Sequence, residues 1–198
     1  MSGGAASTGT GAASVDIQLR DSRVLIVDDS KFNRQILARF VGWAGVHNIE
    51  FAVDGVDGLE KVASFKPDLV LVDFGMPRMG GIEMTQKIRQ DPELTDLPVL
   101  IQTTLNSDQQ RVTCFKAGAT DILSKPVNPG ECMARVRLHL EKLLLLREMR
   151  KFRERIESEL DLAASMQKSL VPDDRKVKKI IEPRGINMEY LFEPSSEM

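Results

Sequence analysis

The chain has 198 residues, 42% of them hydrophobic and 28% charged, with a formal net charge of −2, which fits a folded chain and excludes collagen-like, fully disordered and disulfide-scaffold classes. So small a charge gives no electrostatic reason to expect DNA or a membrane as partner, and no uncharged apolar run approaches the ~20 residues of a membrane span. Two cysteines without CxxC spacing, Cys114 and Cys132, suggest reduced, inert thiols and a cytoplasmic location.

Met1 to Ser14 are Gly, Ala, Ser and Thr after the initial Met, without the basic start and apolar stretch of a secretory signal. Residues 1–20 are expected to be a disordered lead-in. From Arg23 the pattern changes. Val24–Val27 (VLIV) is an apolar run ended by Asp28-Asp29-Ser30, which suits a strand covered on both faces. Ser30 can cap a helix in which Phe32, Ile36, Leu37, Phe40 and Val41 recur at helical spacing. Ile49–Val53 predicts a second strand and Gly55–Phe65 a second helix, with Val56, Leu59 and Val62 inward. Leu69–Asp73 predicts a strand, Gly81–Arg89 a helix packed through Ile82 and Ile88, and Val99–Thr103 a strand. Asp108–Ala117 then predicts a helix, and Ile122-Leu123 a short strand before Lys125-Pro126. Such alternation implies right-handed βαβ crossovers and an α/β fold, a doubly wound five-stranded parallel sheet.

Ligands of such sheets sit at the carboxyl ends of the strands. Asp28 and Asp29 end the first apolar run, Asp73 the third, Thr103 and Thr104 the fourth, and Ser124-Lys125 follow the fifth. Three converging carboxylates repel one another unless a proton or a cation intervenes. A hard divalent ion resolves the conflict, and Mg²⁺ favours few carboxylates together with water and phosphate oxygens. Lys125 adds a compact charge suited to a phosphoryl group, and Thr103 a hydroxyl that can bond one of its oxygens. The set describes a phosphoryl-transfer site. No Walker A loop is present, so nucleotide binding is unsupported and a carboxylate nucleophile is left. His47 and His139 have no metal-ligand partners at useful spacing and are read as structural or solvated.

VLIVDDS (Val24–Ser30), LVDFGMPRMGG (Leu71–Gly81), PVLIQTT (Pro98–Thr104) and GATDILSKP (Gly118–Pro126) resemble, in order, the motifs of CheY-like receiver domains of two-component response regulators. The resemblance implies a flavodoxin-like receiver domain over residues 21–139. It implies Asp73 as phosphoacceptor, Asp29 as a direct Mg²⁺ ligand, Asp28 as a ligand largely through water, and the Gly75 carbonyl as a further ligand. Thr103 is implied as the switch hydroxyl and Lys125 as the phosphate partner. The donor would be a phosphohistidine on a histidine kinase or phosphotransfer protein. Two positions depart from the family: Ile122 stands where Tyr or Phe is frequent, and Thr104 where a small residue is common. Ile122 offers no aromatic edge for coupling to Thr103. Thr104 would narrow the approach of water and slow loss of the phosphoryl group.

Asn128 and Pro129 suit the start of a helix, and beyond Gly130 no Gly or Pro follows until Pro172. Pro129–Leu170 would extend about 63 Å as one helix. Leu145, Met149, Phe152 and Ile156 step by 4, 3 and 4, a coiled-coil seam that Leu160 bridges to Ala163, Met166 and Leu170. A coiled-coil linker over 140–171 and a parallel homodimer through Leu138–Leu170 are expected, with folding back onto its own domain as the competing arrangement. Residues 172–198 read as the truncated start of an output domain. LAASMQKSL-V-P (Leu162–Pro172) and INMEYLFEPSSEM (Ile186–Met198) resemble the entry to SpoIIE-like, PPM-type serine/threonine phosphatase domains, whose Gly-Gly-Asp metal motif is absent here. This chain is therefore expected to be a regulatory phosphoacceptor without phosphatase activity, whatever its parent does. A pure interaction module with Asp73 never modified, and a receiver controlling a cyclic-dinucleotide output, are the competing classes. No basic helix-turn-helix follows the receiver segment, so DNA binding is not expected.

Overall fold

The computed structural model describes residues 19–104 and 108–170, with side chains to 166. Five strands form one parallel sheet: β1 (Arg23–Val27), β2 (Asn48–Ala52), β3 (Leu69–Asp73), β4 (Val99–Thr103) and β5 (Asp121–Ser124). The helices between and after them are α1 (Lys31–Trp43), α2 (Gly55–Phe65), α3 (Gly81–Gln90), α4 (Asp108–Lys116) and α5 (Pro129–Leu170). A single 3₁₀ turn, Pro92–Leu94, precedes β4.

The strand order is β2-β1-β3-β4-β5. The chain begins near the middle, steps outward to β2, then returns past β1 to β3, so the order reverses between β1 and β3. At that reversal the helices diverge to opposite faces and leave a crevice at the carboxyl edge. The apolar runs are continuous because both faces are covered. Val24, Ile26, Leu69, Leu71, Leu100 and Leu123 pack with Leu37, Phe40 and Val41 of α1 and Cys132, Val136 and Leu140 of α5. Leu25, Val27, Val70, Val72, Val99, Ile101 and Ile122 pack on the other face with Val62 of α2, Met84 and Ile88 of α3 and Cys114 of α4. Fully burying one such side chain contributes about 1.5–3 kcal/mol.

Helix entries follow the sequence. The Ser30 hydroxyl accepts from Asn33 N–H at 3.3 Å, and the Asp54 carboxylate from Val56 and Asp57 N–H at 2.9 and 3.1 Å, satisfying amides that have no partner within the helix.

Several expectations shift. Phe32 is 69% exposed rather than inward, since the first turn of α1 lies past the end of β1, where no sheet lies beneath it. β2 begins one residue earlier than expected because Asn48 pairs with Arg23, and Val53 is exposed. β5 extends to Asp121 and Ser124, paired with Leu100 and Thr103. The expected lead-in lies outside the described residues up to position 18, but Leu19 is buried in the core. Its side chain gives the chain an anchor that the composition of 1–20 does not advertise. Leu140 and Leu143 are buried past the expected end of the domain at His139, and the compact unit that holds the sheet continues to Glu148.

A second compact unit begins at Met149. Its described part is helical, with Met149, Phe152, Ile156, Leu160, Leu162 and Met166 exposed. Arg153–Glu157 and Arg155–Glu159 ion pairs at 3.4 and 2.9 Å decorate it, each worth a few tenths of a kcal/mol. Residues 171–198, where the output-domain reading falls, lie outside the described residues. Among the described residues no helix is long and apolar enough to cross a membrane.

Candidate functional site: an acidic cluster at the carboxyl edge of the sheet

The reversal between β1 and β3 decides which side chains meet. Asp28 and Asp29 leave the end of β1 and Asp73 closes β3, its neighbour in the sheet. One carboxylate oxygen from each lies within 4.8 Å of the others. Asp28 is fully buried, Asp73 nearly so, and Asp29 exposed. Lys125, one residue beyond β5, reaches across β4 to place Nζ 2.7 Å from Asp73 Oδ1 and 3.5 Å from Asp28 Oδ2. A cis peptide bond joins it to Pro126, and its N–H donates to the Thr103 carbonyl at 2.8 Å. Thr103 ends β4 and is 3% exposed.

Burial pushes the Asp28 carboxyl above its ordinary value. The Ser30 N–H, Lys125 and Asn33 pull it down, while the Asp73 charge adds to the upward push. A buried carboxylate raised in this way is short of positive charge, and one ammonium faces three acids. Two buried carboxylates and a third open to water match the oxygen donors that Mg²⁺ takes while retaining several waters. The residues fit such an ion. Gly75, two residues past Asp73, is exposed in the loop before α3.

The segment covering residues 24–137 matches the model of the response regulator receiver domain, more than half of the chain. The chain belongs to the response regulator receiver family. It is thus a phosphoacceptor regulatory domain of two-component signalling, with the fold expected of one. The receiver is 39% identical over 123 residues to Response regulator MprA of Mycobacterium ulcerans (strain Agy99), covering 62% of this chain and 52% of that protein. It is 38% identical over 120 residues to Response regulator MprA of Mycobacterium avium (strain 104). The chain therefore spans about half the length of the curated relatives it matches. Among solved structures, Vibrio cholerae chemotaxis response regulator CheY4 superposes with a TM-score of 0.55 at 32% identity, over 60% of this chain and 98% of that one. The Francisella response regulator 1452 receiver domain gives 0.57 at 26% identity, over 61% and 98%.

Some residues of the receiver's site were not singled out from sequence. Asn33 Nδ2 donates to both Asp28 oxygens at 3.3 Å, and Arg34 donates to the Asp28 and Asp29 carbonyls at 2.5 and 3.2 Å. Both stand in the first turn of α1, and their signal was a spacing of five and six residues from Asp28, the reach of a first turn folding back over its own entry loop. His139, read as structural or solvated, is structural: its Nε2 lies 2.9 Å from Asp121 Oδ2, and Arg135 binds the same carboxylate at 2.5–2.6 Å. Ile122 is buried among the aliphatic residues of the α2–α4 face, and Thr104 is exposed one residue past β4.

Proposed function

We propose that this receiver accepts a phosphoryl group on Asp73 from the phosphohistidine of a histidine kinase or phosphotransfer protein. In that step an Asp73 carboxylate oxygen attacks phosphorus, the phosphorus–nitrogen bond breaks, and the imidazole leaves with the electron pair and takes up a proton. The product on the receiver is an acyl phosphate. Asp28, Asp29, Asp73 and the Gly75 carbonyl would hold Mg²⁺, which when bound neutralises the charge gathering on the transferred oxygens. Lys125 gives up its contact with Asp73 to meet the incoming phosphoryl oxygens, and the Thr103 hydroxyl donates to one of them. Such a step needs little beyond positioning and charge neutralisation.

The observation that carries this reading is the convergence of Asp28, Asp29 and Asp73 with Lys125 Nζ 2.7 Å from the proposed nucleophile. Incubation with acetyl phosphate and Mg²⁺ should add one phosphoryl mass to the intact chain, and none to Asp73→Asn. A wild-type chain that stays unmodified, or an Asp73→Asn chain modified equally, refutes the assignment and leaves the interaction-module class standing.

Transmission belongs to the same proposal. The exposed stripe Leu145, Met149, Phe152, Ile156, Leu160 and Met166 supports a parallel homodimer through Leu138–Leu170, since a second copy would bury a row of large apolar groups left open in one chain. The dimer would pass the phosphorylation state to an output domain of PPM phosphatase type, in the cytoplasm. Light scattering of the chain and of Ile156→Glu tests the seam: a dimer that dissociates in the variant supports it, and one that persists refutes it.

A further inference from the structure

The loop from Phe74 to Gly80 carries the Gly75 carbonyl, and Gly75 has little to hold it in place. It is exposed, and a Cβ built on it meets nothing within 4 Å. The loop is fastened on either side of it: Phe74 N–H donates to the Gln102 carbonyl at 2.9 Å and the Phe74 carbonyl accepts from Gly81 N–H at 3.1 Å, and the far end is held against the start of α2. Gly55 N–H donates to the Met79 carbonyl at 3.0 Å. The fit there is close enough that a Cβ on Gly55 would overlap Met79, whose own side chain is 6% exposed. Beside this seam Arg78 adopts φ +62°, a conformation that a non-glycine residue enters only at a cost of about 1–2 kcal/mol. The strain aims its guanidinium at Asp54. Arg78 Nε donates to Asp54 Oδ2 at 2.6 Å, and NH2 donates to the same oxygen. Asp54 is 2% exposed, and its other oxygen caps α2. Burial pushes its carboxyl up, but the Asp57 N–H, Arg78 and the Val56 N–H outweigh burial and hold it below the ordinary range.

Arg78 is largely exposed while the carboxylate it grips is buried, so the pair ties the surface loop to the cap of the helix beneath it. Its effect is geometric. We infer that Arg78 is a positioning residue for phosphoryl transfer: its grip on Asp54 fixes the 74–80 loop, and with it the Gly75 carbonyl, relative to Asp73. The inference rests on the proposed function, because the loop matters only if Gly75 and Asp73 share an ion. Supporting groups of this kind typically change metal affinity tenfold or more when removed.

Two variants isolate the clamp. Arg78→Asn keeps a residue that tolerates positive φ and removes the guanidinium, and Asp54→Ser keeps a helix cap and removes the carboxylate. Hydrogen exchange of amides 74–80 in the full, metal-free chain should quicken in both. The Mg²⁺ dissociation constant from calorimetry should rise about tenfold in each and no further in the double variant, since both remove one interaction. The phosphorylation rate with acetyl phosphate should fall alongside. Should Arg78→Asn not fold, Arg78→Lys, which keeps the charge and loses the fork, decides by the same readouts. Unchanged exchange and Mg²⁺ affinity in folded variants overturn the inference, as do additive losses in the double variant. A wild-type chain that binds no Mg²⁺ and stays unphosphorylated instead overturns the proposed function, and the role of Arg78 with it.

Discussion

Gly81 opens α3 directly behind the phosphoacceptor, and replacing it with alanine perturbs the site from below. A Cβ on Gly81 would overlap the Asp73 carbonyl oxygen and lie 3.1 Å from its carbon and 3.2 Å from Val72 Cγ2. The atoms struck are mostly backbone, so no side-chain rotation relieves the clash. Restoring an ordinary contact requires α3 and the end of β3 to separate by roughly 1 Å. Overpacking of this kind costs about 1–3 kcal/mol, and a displacement of about 1 Å at a reacting group can cost on the order of 100-fold in rate. Gly81→Ala should therefore lower the urea midpoint and slow the phosphorylation of Asp73 far more than its stability loss alone would. Gly42→Ala is the control. Gly42 lies inside α1 with open space where its Cβ would go, so this variant should gain up to about 1 kcal/mol and phosphorylate normally. The reasoning is refuted if Gly81→Ala matches wild type in rate, or if Gly42→Ala is impaired to the same degree.

The thiols offer a second check. Burial pushes the Cys132 thiol up to about 12 and raises Cys114 as well, so neither should react with Ellman's reagent until the chain unfolds, and rapid native labelling of either contradicts the buried assignment. At Asp121, burial pushes the carboxyl up, but His139, Arg135 and the Ile122 N–H outweigh it and hold it below the ordinary carboxylate range. Its contribution is thus present above the unfolded-state value and lost as pH falls through the lower folded value. Asp121→Asn should cost about 1–2 kcal/mol at neutral pH, with the gap to wild type closing in acid; a gap independent of pH in urea titrations argues against the cluster. Thr104→Ala should shorten the lifetime of phospho-Asp73 by opening a path for water, and an equal lifetime sinks that role for Thr104.

What could be read from the sequence follows from what burial imposes on composition. LVLVD, VLIQT and GVDGLEKVASF have ends that coincide with β3, β4 and α2, because apolar content changes abruptly at each border. β5 was seen only in part, since Asp121 and Ser124 join the ladder through their backbones, and a polar side chain gives no sign of that. The acidic site was legible because its members sit at the ends of neighbouring strands, where topology alone brings them together. The side chains that brace it were not. Arg78 and Asp54 are separated by 24 residues, and nothing in either residue type foretells the left-handed turn that joins them. Phe32 misled because helical spacing reports a face and not whether anything lies beneath its first turn.

The outgoing helix is also moored well past the point where family boundaries fall. Arg147 NH1 donates at 2.6 Å to Asp68 Oδ1, and the other oxygen of that buried carboxylate takes the Arg23 N–H at 2.7 Å. Asp68 immediately precedes β3, the strand that ends in Asp73, so the amino-terminal rim of the sheet is stitched to the nineteenth residue of a helix that starts four residues after Lys125. Anyone trimming this protein to a minimal fragment at residue 137 or 139 would cut away Leu140, Leu143 and that mooring together, leaving the acid at the foot of the central strand with only the longer Arg23 ion pair, at 3.9 Å. A shortened fragment would then be a poor proxy for how firmly the intact domain holds its own exit.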